Sequence, residues 1–314
     1  MFTIQSMQPT QHQEVAQLIH DSTNGWYLNQ LGQELFTGGP QSTMLFCDVY
    51  ETLDPGCCLI AVADHDQMIL GSCFYHPRET HIALGIMNVH PSAFGQGVAR
   101  QLLQRVIDVA DEQQKAIRLV SSAMNLDSFS LYNKAGFVPR QMFQDMVLDV
   151  PLQGIGFGDL SGVEIRDARE EDLPAMADLE YRVAHIRREK DYRFFVAANA
   201  GMSRQQDRPH WHTSVLYRQG EMQGWMVSIV HAGSQMVGPA IAQDESVALS
   251  LLQHELNYRA GNRMVFLVPV ECQKLVQTAY AWGAKNCELH VAQVRGAFRP
   301  YQGVCLPTFM PETG

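Results

Sequence analysis

The sequence has few of the features that mark several large protein classes. Lysine and arginine total 23 against 33 aspartates and glutamates, and no basic run occurs among the 314 residues. A nucleic-acid-binding surface needs a basic patch, so we expect no nucleic-acid partner. No apolar stretch reaches the roughly 18 residues of a membrane-spanning helix, so we expect no membrane partner. The net charge of −10 favours solubility and is compatible with a cationic substrate.

Metal and disulfide signatures are also missing. The seven cysteines form no CxxC pair, which argues against a zinc ribbon or a thioredoxin-type motif, and their irregular spacing is typical of free core thiols. The start, Met1–Gln5, lacks the segments of a signal peptide, so we expect a cytoplasmic protein. His210 and His212 have no third ligand nearby in sequence, so we expect them to be structural and expect no metal.

What is present is a repeated order of strands and helices. At about 100–200 residues per domain, a chain of 314 residues predicts two domains. The order strand, helix, strand, helix, strand, helix occurs in residues 1–150 and again in residues 163–314. Residues 151–162 are glycine-rich and aperiodic, and they are predicted to form the linker. We therefore predict an internal duplication.

One turn in the first half is suited to an anion. A strand predicted over residues 82–89 leads into the turn Ala93–Ala99, and apolar periodicity predicts a helix over Val98–Asp111. The first amides of a helix lack intrahelical partners, and the helix dipole makes that end partly positive. Gly95 and Gly97 allow a phosphate to approach the backbone closely. The segment therefore predicts a pyrophosphate site, with a plain glycine turn as the alternative.

Three kinds of phosphate-binding loop compete for this turn. A P-loop requires Gly-Lys-Ser/Thr, whereas Gly97 is followed by Val98 and Ala99. A dinucleotide fingerprint requires a third glycine where Arg100 stands and an acidic residue after the strand Ile117–Ser121. Neither is found, which argues against a nucleotide-binding oxidoreductase. The third kind is an acyl-CoA loop.

Two segments resemble motifs of one family. Val89–Leu103, reading VHPSAFGQGVARQLL, resembles the acyl-CoA loop of the GNAT superfamily of N-acetyltransferases, Arg/Gln-x-x-Gly-x-Gly/Ala after a strand. It departs from that pattern because no Arg or Gln stands ahead of Gly95. Asn125–Phe137, reading NLDSFSLYNKAGF, resembles the family's Asn-x-x-Ala-x-x-x-Tyr-x-x-x-Gly-Phe motif. The segments occur in the family's order, and the resemblance covers most of residues 1–150.

The resemblance implies a fold and a domain plan. The expected fold class is α+β (mixed α/β), with two tandem GNAT-like domains, each a twisted, mostly antiparallel sheet flanked by helices. Residues 1–150 are expected to form the catalytic, acyl-CoA-binding domain and residues 163–314 a degenerate domain.

The degenerate state is inferred from the turn that corresponds to the glycine turn, residues 236–245. Pro239 there lacks an amide, and Asp244 and Glu245 add negative charge near the helix start. Ala279 stands at the tyrosine position of the second motif.

The resemblance also implies an activity. The expected enzyme is an N-acetyltransferase that uses acetyl-CoA as co-substrate and acylates a primary amine by direct attack, without a covalent enzyme intermediate. The acceptor, a small-molecule or peptide amine, stays open, as does oligomerisation. The alternative, from a different class, is a non-catalytic acyl-CoA-binding sensor or regulatory module.

Roles follow from the resemblance for particular residues. Tyr132 is expected to protonate the leaving thiolate and Asn125 to hold the pantetheine arm. A backbone amide of Met87–Val89 is expected to stabilise the oxyanion. The family's glutamate base falls near Ala83, so His81, on the same side of the strand, is the candidate base, with water-mediated deprotonation as the alternative. The residues expected to bind acyl-CoA are Met87, Asn88, Val89, Phe94, Gly95, Gln96, Gly97, Val98, Ala99, Arg100, Asn125 and Tyr132.

The acceptor site is expected between the early helices and the strand face. The segment Asp21–Tyr27 is a candidate wall, or alternatively a helix end with packing aromatics. Residues 21–45 are mixed, with Gly25, Gly32 and residues 38–40 as breakers. The residues expected to bind substrate are Asn24, Trp26 and Tyr27.

Overall fold

The computed structural model describes residues 1–156, 162–200 and 210–308, with the side chains of residues 198–200 excepted. The chain divides into two compact units, Met1–Leu119 and Val120–Thr308. In each unit a largely antiparallel sheet is combined with helices, which confirms the predicted mixed α/β class. No helix in these described ranges is both long and apolar enough to cross a membrane.

The first unit contains a sheet with the order β1-β2-β3-β4-β5. The first four strands pair antiparallel, and β5 pairs parallel with β4. The elements are β1 (Phe2–Ser6), α1 (His12–Leu31), α2 (Pro40–Leu53), β2 (Cys58–Ala63), β3 (Ile69–Pro77), β4 (His81–Val89), α3 (Val98–Glu112) and β5 (Ala116–Ser122), whose last residues belong to the second unit.

The second unit contains a sheet with the order β12-β6-β11-β10-β9-β8-β7, and β13 pairs with β10. Its ladders are antiparallel except for β10 with β11. The elements are α4 (Leu126–Lys134), β6 (Val138–Asp149), β7 (Val163–Asp167), α5 (Leu173–Ala184), α6 (Glu189–Ala200), β8 (Trp211–Arg218), β9 (Glu221–His231), β10 (Ser234–Ala242), α7 (Glu245–Tyr258), β11 (Arg263–Pro269), α8 (Gln273–Ala281), β12 (Lys285–Arg295) and β13 (Val304–Leu306).

The same order of elements occurs twice along the chain. A strand, two helices, three strands, a helix, a strand, a helix and a strand run from β1 to β6 and again from β7 to β12. Each repeat has a strand glycine at which its central helix packs closely. A Cβ on Gly71 would lie 2.7 Å from Val98 Cγ1, and one on Gly224 would lie 2.7 Å from Val247 Cγ1. These features confirm the predicted tandem arrangement.

The closing strand of the first repeat pairs with strands of the second. One edge of β6 pairs with β11, from Phe143 with Pro269 to Asp149 with Arg263. Its other edge pairs with β12. Because of these ladders β6 belongs to the second compact unit, and the units divide at Leu119. The domain ranges 1–150 and 163–314 therefore stay predictions about the repeats.

The predicted linker, residues 151–162, is partly packed. Ile155 is 8% exposed, and its amide donates to Asn257 Oδ1 at 2.7 Å. Residues 157–161 of this segment lie outside the described residues.

Two helical features differ from the mixed structure predicted for residues 21–45. Helix α1 continues through Gly25 to Leu31, and α2 begins at Pro40. A helix glycine costs only about 1 kcal/mol, which the burial of Leu18 and Ile19 on α1 outweighs. Proline is favourable in the first turn of a helix, so residue 40 starts α2 rather than interrupting it.

Candidate active site

A bulge sets the last part of β4 apart from the rest of the strand. Against β3, Leu84 pairs with Tyr75 and Met87 pairs with Cys73, so that two residues of β4 stand opposite one residue of β3. The first five residues of β4 are buried and the last four are half-buried. A bulge bends a strand and is frequent beside active sites. The bend falls just before Met87–Val89, the segment predicted to contact acyl-CoA.

The parallel ladder between β4 and β5 is short. It runs from the pair His81 and Ala116 to the pair Ala83 and Arg118, whereas β4 continues to Val89. Backbone groups on a strand edge can pair with an extended chain that adds to the sheet. The end of β4 therefore has the geometry that pairing with the amides of a pantetheine arm requires.

The glycine turn leads directly into α3. Gly95 has a φ of 76° and Gly97 a φ of 81°, left-handed values that favour glycine. Nothing lies within 4 Å of the place where a Cβ would stand on either residue. Conformation, rather than lack of space, therefore requires these glycines, and their backbone stays accessible.

The first turn of α3 has no side-chain cap. Gly97 is the residue before the helix and has no side chain that could cap it. The amide of Gln101 donates to Gly97 O at 3.1 Å, which leaves the amides of residues 98–100 without intrahelical acceptors. The helix dipole adds partial positive charge at this end. The start of α3 is therefore suited to a pyrophosphate.

Side chains of the turn leave this backbone open. Gln96 Nε2 donates to Ser92 O at 2.8 Å, and Phe94 is 61% exposed. Arg100 lies in the exposed part of the first turn of α3. It places a positive charge near the amides, although the Arg or Gln of the family pattern is missing ahead of Gly95.

A polar contact ties the end of β4 to α1. Asn88 Nδ2 donates to Ser22 Oγ at 2.8 Å and to Thr23 Oγ1 at 3.1 Å. Ser72 is the cross-strand partner of Asn88 and is fully buried. Within the described part of the chain, Asn88 Oδ1 and Ser72 Oγ are buried and have no hydrogen-bond partner. The face between α1 and β4 is therefore polar and has unused hydrogen-bonding capacity.

The three residues predicted to bind substrate lie on α1, but their side chains differ in burial and in the contacts that they make. Asn24 is 4% exposed, and its side chain donates to Phe36 O at 2.9 Å and accepts from the amides of Leu35 and Phe36. It therefore fixes the connection between α1 and α2. Trp26 and Tyr27 are half-buried, with ring centroids 5.0 Å apart. Their substrate role stays a prediction.

Asp21, the first residue of the predicted wall Asp21–Tyr27, makes hydrogen bonds within α1. Asp21 Oδ1 is 2.9 Å from His20 Nδ1, and Asp21 Oδ2 accepts from Gln17 Nε2 at 2.8 Å. Partial burial raises the pKa of the Asp21 carboxyl, but the hydrogen bonds from His20 and Gln17 and the charges of His20 and His90 lower it below 3.8. Gln17 and Asp21 are four residues apart, which brings side chains together on a helix. This hydrogen bond could have been predicted if the sequence had indicated that α1 continues past residue 21.

His81 is not brought to the glycine turn. It is the first residue of β4 and is 2% exposed, with Nδ1 at 3.1 Å from Thr80 Oγ1. At about 3.3 Å per residue, the nine-residue strand places it about 26 Å from Val89. The role of His81 as the base stays a prediction.

Comparison with known proteins agrees with this geometry. Residues 25–137 match the model of the acetyltransferase (GNAT) family. In this segment the chain is similar to members of the GNAT family. The matched segment contains β4, the glycine turn, α3 and both motifs on which the resemblance was based. Members of the family transfer an acyl group from acyl-CoA to an acceptor, and the match indicates an acyltransferase.

Solved structures show that the GNAT fold extends over both repeats. A proposed acetyltransferase from Pyrococcus horikoshii has a TM-score of 0.71 at 14% identity, covering 98% of this chain and 95% of that one. A GCN5-related N-acetyltransferase from Sphaerobacter thermophilus has a TM-score of 0.63 at 17% identity, covering 95% and 96%. A tandem GNAT protein from the clavulanic acid biosynthesis pathway has a TM-score of 0.60 at 12% identity, covering 95% and 100%. At these identities the similarity shows the fold alone.

A shorter match links the chain to the UPF0157 protein YqkA of Bacillus subtilis (strain 168). The two are 35% identical over 69 residues, which is 22% of this chain and 20% of that protein. The match spans one fifth of the Bacillus protein and carries no conclusion about activity.

Asn125 and Tyr132 of the second GNAT motif lie in the second compact unit. Asn125 Oδ1 accepts from the amide of Ser128 at 3.1 Å and so caps α4. Tyr132 is 7% exposed, with its ring 5.7 Å from that of Phe137. Their roles toward the pantetheine arm and the thiolate stay predictions.

The second GNAT-like repeat lacks an equivalent turn, which corrects the turn predicted over residues 236–245. Strand β10 continues to Ala242, because most of this segment is buried in ladders with β9 and β13. Only Gln243 and Asp244 then connect it to α7. Asp244 Oδ1 accepts from the amides of Ser246 at 2.8 Å and Val247 at 3.0 Å. Its own carboxylate therefore occupies the start of α7.

The histidines of the second unit are held in hydrogen bonds. His210 Nδ1 lies 2.9 Å from Val230 O, and His212 Nδ1 lies 3.0 Å from Glu255. A separate buried cluster brings ligand atoms of Asp145, Glu288 and His290 within 4.8 Å of one another.

These three residue types are ones that can ligate a metal. However, His290 Nδ1 is paired with the Asp145 carboxylate at 2.9 Å. Burial lowers the pKa of His290, but the Asp145 carboxylate raises it above its ordinary value. We interpret the cluster as an ion pair, and the absence of a metal stays a prediction.

Proposed function

We propose that the protein is an acetyl-CoA-dependent N-acetyltransferase that acylates a primary amine of a small-molecule or peptide acceptor by direct attack of the amine. The uncapped first turn of α3 after Gly97 carries the proposal. It combines accessible backbone amides, partial positive charge and two left-handed glycines at the end of a bulged strand. Bound acetyl-CoA would supply an activated acyl group as a thioester.

Backbone groups would do most of the binding. The amides of Gly97–Arg100 would hold the pyrophosphate, and the edge of β4 at Met87–Val89 would pair with the pantetheine amides. A β4 amide there would also donate to the thioester carbonyl oxygen as negative charge develops on it. Because these donors are backbone atoms, the missing Arg or Gln ahead of Gly95 does not remove them.

Side chains would handle the protons. By resemblance to the family, we assign to Tyr132 the donation of a proton to the leaving thiolate and to Asn125 contact with the pantetheine arm. We assign deprotonation of the acceptor to water, the alternative to His81, which is buried at the start of β4.

We also propose a single acyl-CoA site, in the first repeat, and a cytoplasmic location. The Asp244 carboxylate at the start of α7 supports the first point because it uses the amides that a phosphate would need. The free state of all seven cysteines supports the second.

Two measurements test the proposed activity. Calorimetry should show binding of acetyl-CoA, and a panel of primary amines should give acetyl-CoA-dependent release of free thiol. Tyr132→Phe should lower kcat by about tenfold or more while acetyl-CoA binding is retained. Tyr280→Phe, at a 47% exposed tyrosine, is the matched control and should retain full activity.

The alternative outcomes are distinct. Binding of acetyl-CoA without turnover of any amine would contradict the proposed enzyme activity and favour the alternative, an acyl-CoA sensor. Unchanged turnover in Tyr132→Phe would remove the assigned proton donor but not the activity.

A further inference from the structure

The fourth strands of the two repeats, β4 and β10, contain the same bulge. Two residues of β4 stand opposite Phe74 of β3, and two residues of β10 stand opposite Val227 of β9. The three residues that follow the bulge are Met87–Val89 in β4 and Ala240–Ala242 in β10. The bulge therefore aligns the repeats residue by residue, and Ala240–Ala242 corresponds to Met87–Val89.

The parallel ladder before each bulge is short. The ladder with β5 ends at Ala83 of β4, and the ladder with β11 ends at Val237 of β10. Among the described residues, neither parallel neighbour extends to the three residues after the bulge. In the first repeat, this edge of Met87–Val89 is the one proposed to pair with the pantetheine arm.

In the second repeat, β13 pairs with the corresponding edge. Its residues Val304–Leu306 pair antiparallel with Ala240–Ala242. Strand β9 pairs with the same residues of β10 along the other edge. Because a strand has only two edges for hydrogen bonding, β13 lies on the edge that faces β11. The chain itself therefore forms the ladder that a bound pantetheine arm would form in the first repeat.

Strand β13 fits closely against β10. Val304 is 4% exposed and Leu306 is 1% exposed. A Cβ on Gly303, the residue before β13, would lie 2.5 Å from Ala242 O. The two backbones therefore approach so closely that no other extended chain can share this edge while β13 is in place.

We infer that β13 occupies, in the second repeat, the position that the pantetheine arm occupies in the first, and that it closes this edge to acyl-CoA. The inference rests on the proposed function, because it assumes that pantetheine pairs with Met87–Val89. It adds a closure that is separate from the Asp244 carboxylate at the start of α7. Asp244 excludes the pyrophosphate, whereas β13 excludes the pantetheine arm. When β13 leaves β10, Ala240–Ala242 can pair with pantetheine.

Deuterium exchange of the backbone amides tests the inference on the full chain. Mass spectrometry of peptides that cover residues 84–90 and 236–243 reports on the two edges separately. Acetyl-CoA is the probe for the first repeat. Reduced pantetheine at millimolar concentration is the probe for the second, because it has the amides but not the pyrophosphate that Asp244 excludes.

Two substitutions weaken the packing of β13, Leu306→Ala and the more disruptive Leu306→Asp. Leu275→Ala, at a fully buried leucine of α8, is the matched control for general destabilisation. Chemical denaturation first shows which of these proteins unfold cooperatively, and only those are compared.

In the unaltered protein, acetyl-CoA should slow exchange at residues 87–89 at least about fivefold, and neither probe should change residues 240–242. A folded Leu306 variant should exchange at least about tenfold faster at residues 240–242, and pantetheine should slow that exchange again. Leu275→Ala should show no response to pantetheine there.

Three results would overturn the inference. The first is protection of residues 240–242 by pantetheine in the unaltered protein, and the second is lack of such protection in a Leu306 variant that has released β13. The third is that neither Leu306 variant frees residues 240–242 in a folded protein, since β13 would then be an integral core strand.

Failure of the proposed function is distinguishable. If calorimetry shows no acetyl-CoA binding and residues 87–89 do not respond, the proposed function has failed. The Leu306 variants still decide the role of β13, because pantetheine protection of residues 240–242 is measured in the second repeat and needs no turnover.

Discussion

Gly97 and Asp244 occupy the same place in the two repeats, the residue before the helix that follows the fourth strand. Gly97 has a φ of 81° and leaves the first turn of α3 without a side-chain cap. Asp244 is extended and caps α7 through two amides. Both helices have a dipole that attracts anions to the first turn, but in α7 the Asp244 carboxylate already occupies that position. This difference separates a helix start that can bind a ligand from one that is closed.

A carboxylate added to the first turn of α3 should abolish acyl-CoA binding. In Ala99→Asp the new charge would repel the pyrophosphate and compete for the amides that hold it. The same charge interacts favourably with the helix dipole, so we expect Tm to be unchanged or slightly raised. Calorimetry with acetyl-CoA should show an affinity loss of at least about tenfold.

The neutral variant Ala99→Asn is the control for size. It should bind acetyl-CoA within about threefold of the unaltered protein, since it adds no charge. An Ala99→Asp protein that keeps its affinity would show that the pyrophosphate lies elsewhere.

Binding stoichiometry gives a second prediction. Because Asp244 occupies the start of α7, we expect one acetyl-CoA per chain, and none in Ala99→Asp. The measurement is the inflection point of a calorimetric titration at a protein concentration well above Kd. Two equivalents per chain would show that the second repeat also binds.

Local patterns were sufficient for the elements around the glycine turn. The strand before it and the helix from Val98 lie where apolar periodicity predicted them. Those signals act between near neighbours in sequence. The difference between Gly97 and Asp244 could also be predicted, because a capping side chain accepts hydrogen bonds from amides only two or three residues away.

Features that depend on distant partners could not be predicted in this way. The edge of β6 that faces β11 pairs Asp149 with Arg263, and nothing near residue 149 specifies that partner. Helix α1 passes through Gly25 because burial of its apolar face outweighs a local preference. Asp21 lay in the predicted acceptor wall Asp21–Tyr27, but its hydrogen bond with Gln17 could not be predicted, because it exists only if the helix continues.

A buried ion cluster should be essential to the stability of the first unit. Asp54, at the end of α2, accepts from Arg78 Nη1 at 2.9 Å and lies 2.7 Å from His76 Nδ1. Its side chain is 1% exposed. Asp54→Ala should lower the free energy of unfolding by about 3–5 kcal/mol, because it removes the carboxylate that pairs with the buried Arg78 guanidinium.

Chemical denaturation of the full chain at neutral pH measures this effect. Asp149→Ala is the control, because its pair with Arg263 is 3.4 Å long and its side chain is 79% exposed. That variant should lose no more than about 1 kcal/mol. Similar losses in both variants would mean that burial of Asp54 does not determine its contribution.

The pair of His212 and Glu255 should make the free energy of unfolding fall both when the pH is raised and when it is lowered. Burial lowers the pKa of His212, but the carboxylates of Glu255 and Asp167 raise it above 6.5. Burial raises the pKa of Glu255, but the charge of His212 and the hydrogen bonds to Glu255 lower it below 4.5. The histidine's contribution is complete below its unfolded pKa and is lost as the pH rises through the folded one. The glutamate's contribution is complete above its unfolded pKa and is lost as the pH falls through the folded one.

The two contributions overlap between about pH 4.5 and pH 6.5, and His212→Gln should be most destabilising there. We expect a loss of about 3 kcal/mol near pH 5.5, because the buried Glu255 carboxylate loses its partner, and a smaller loss near pH 9. Chemical denaturation at the two pH values gives the comparison.

His254→Gln is the control, and the ring of His254 lies 6.4 Å from that of His212. Burial lowers the pKa of His254, so the unaltered protein loses stability from this group as the pH falls below 6.5. The substitution should therefore be less harmful at pH 5.5 than at pH 9, the reverse of His212→Gln, and parallel responses would contradict the assignment of charge to His212.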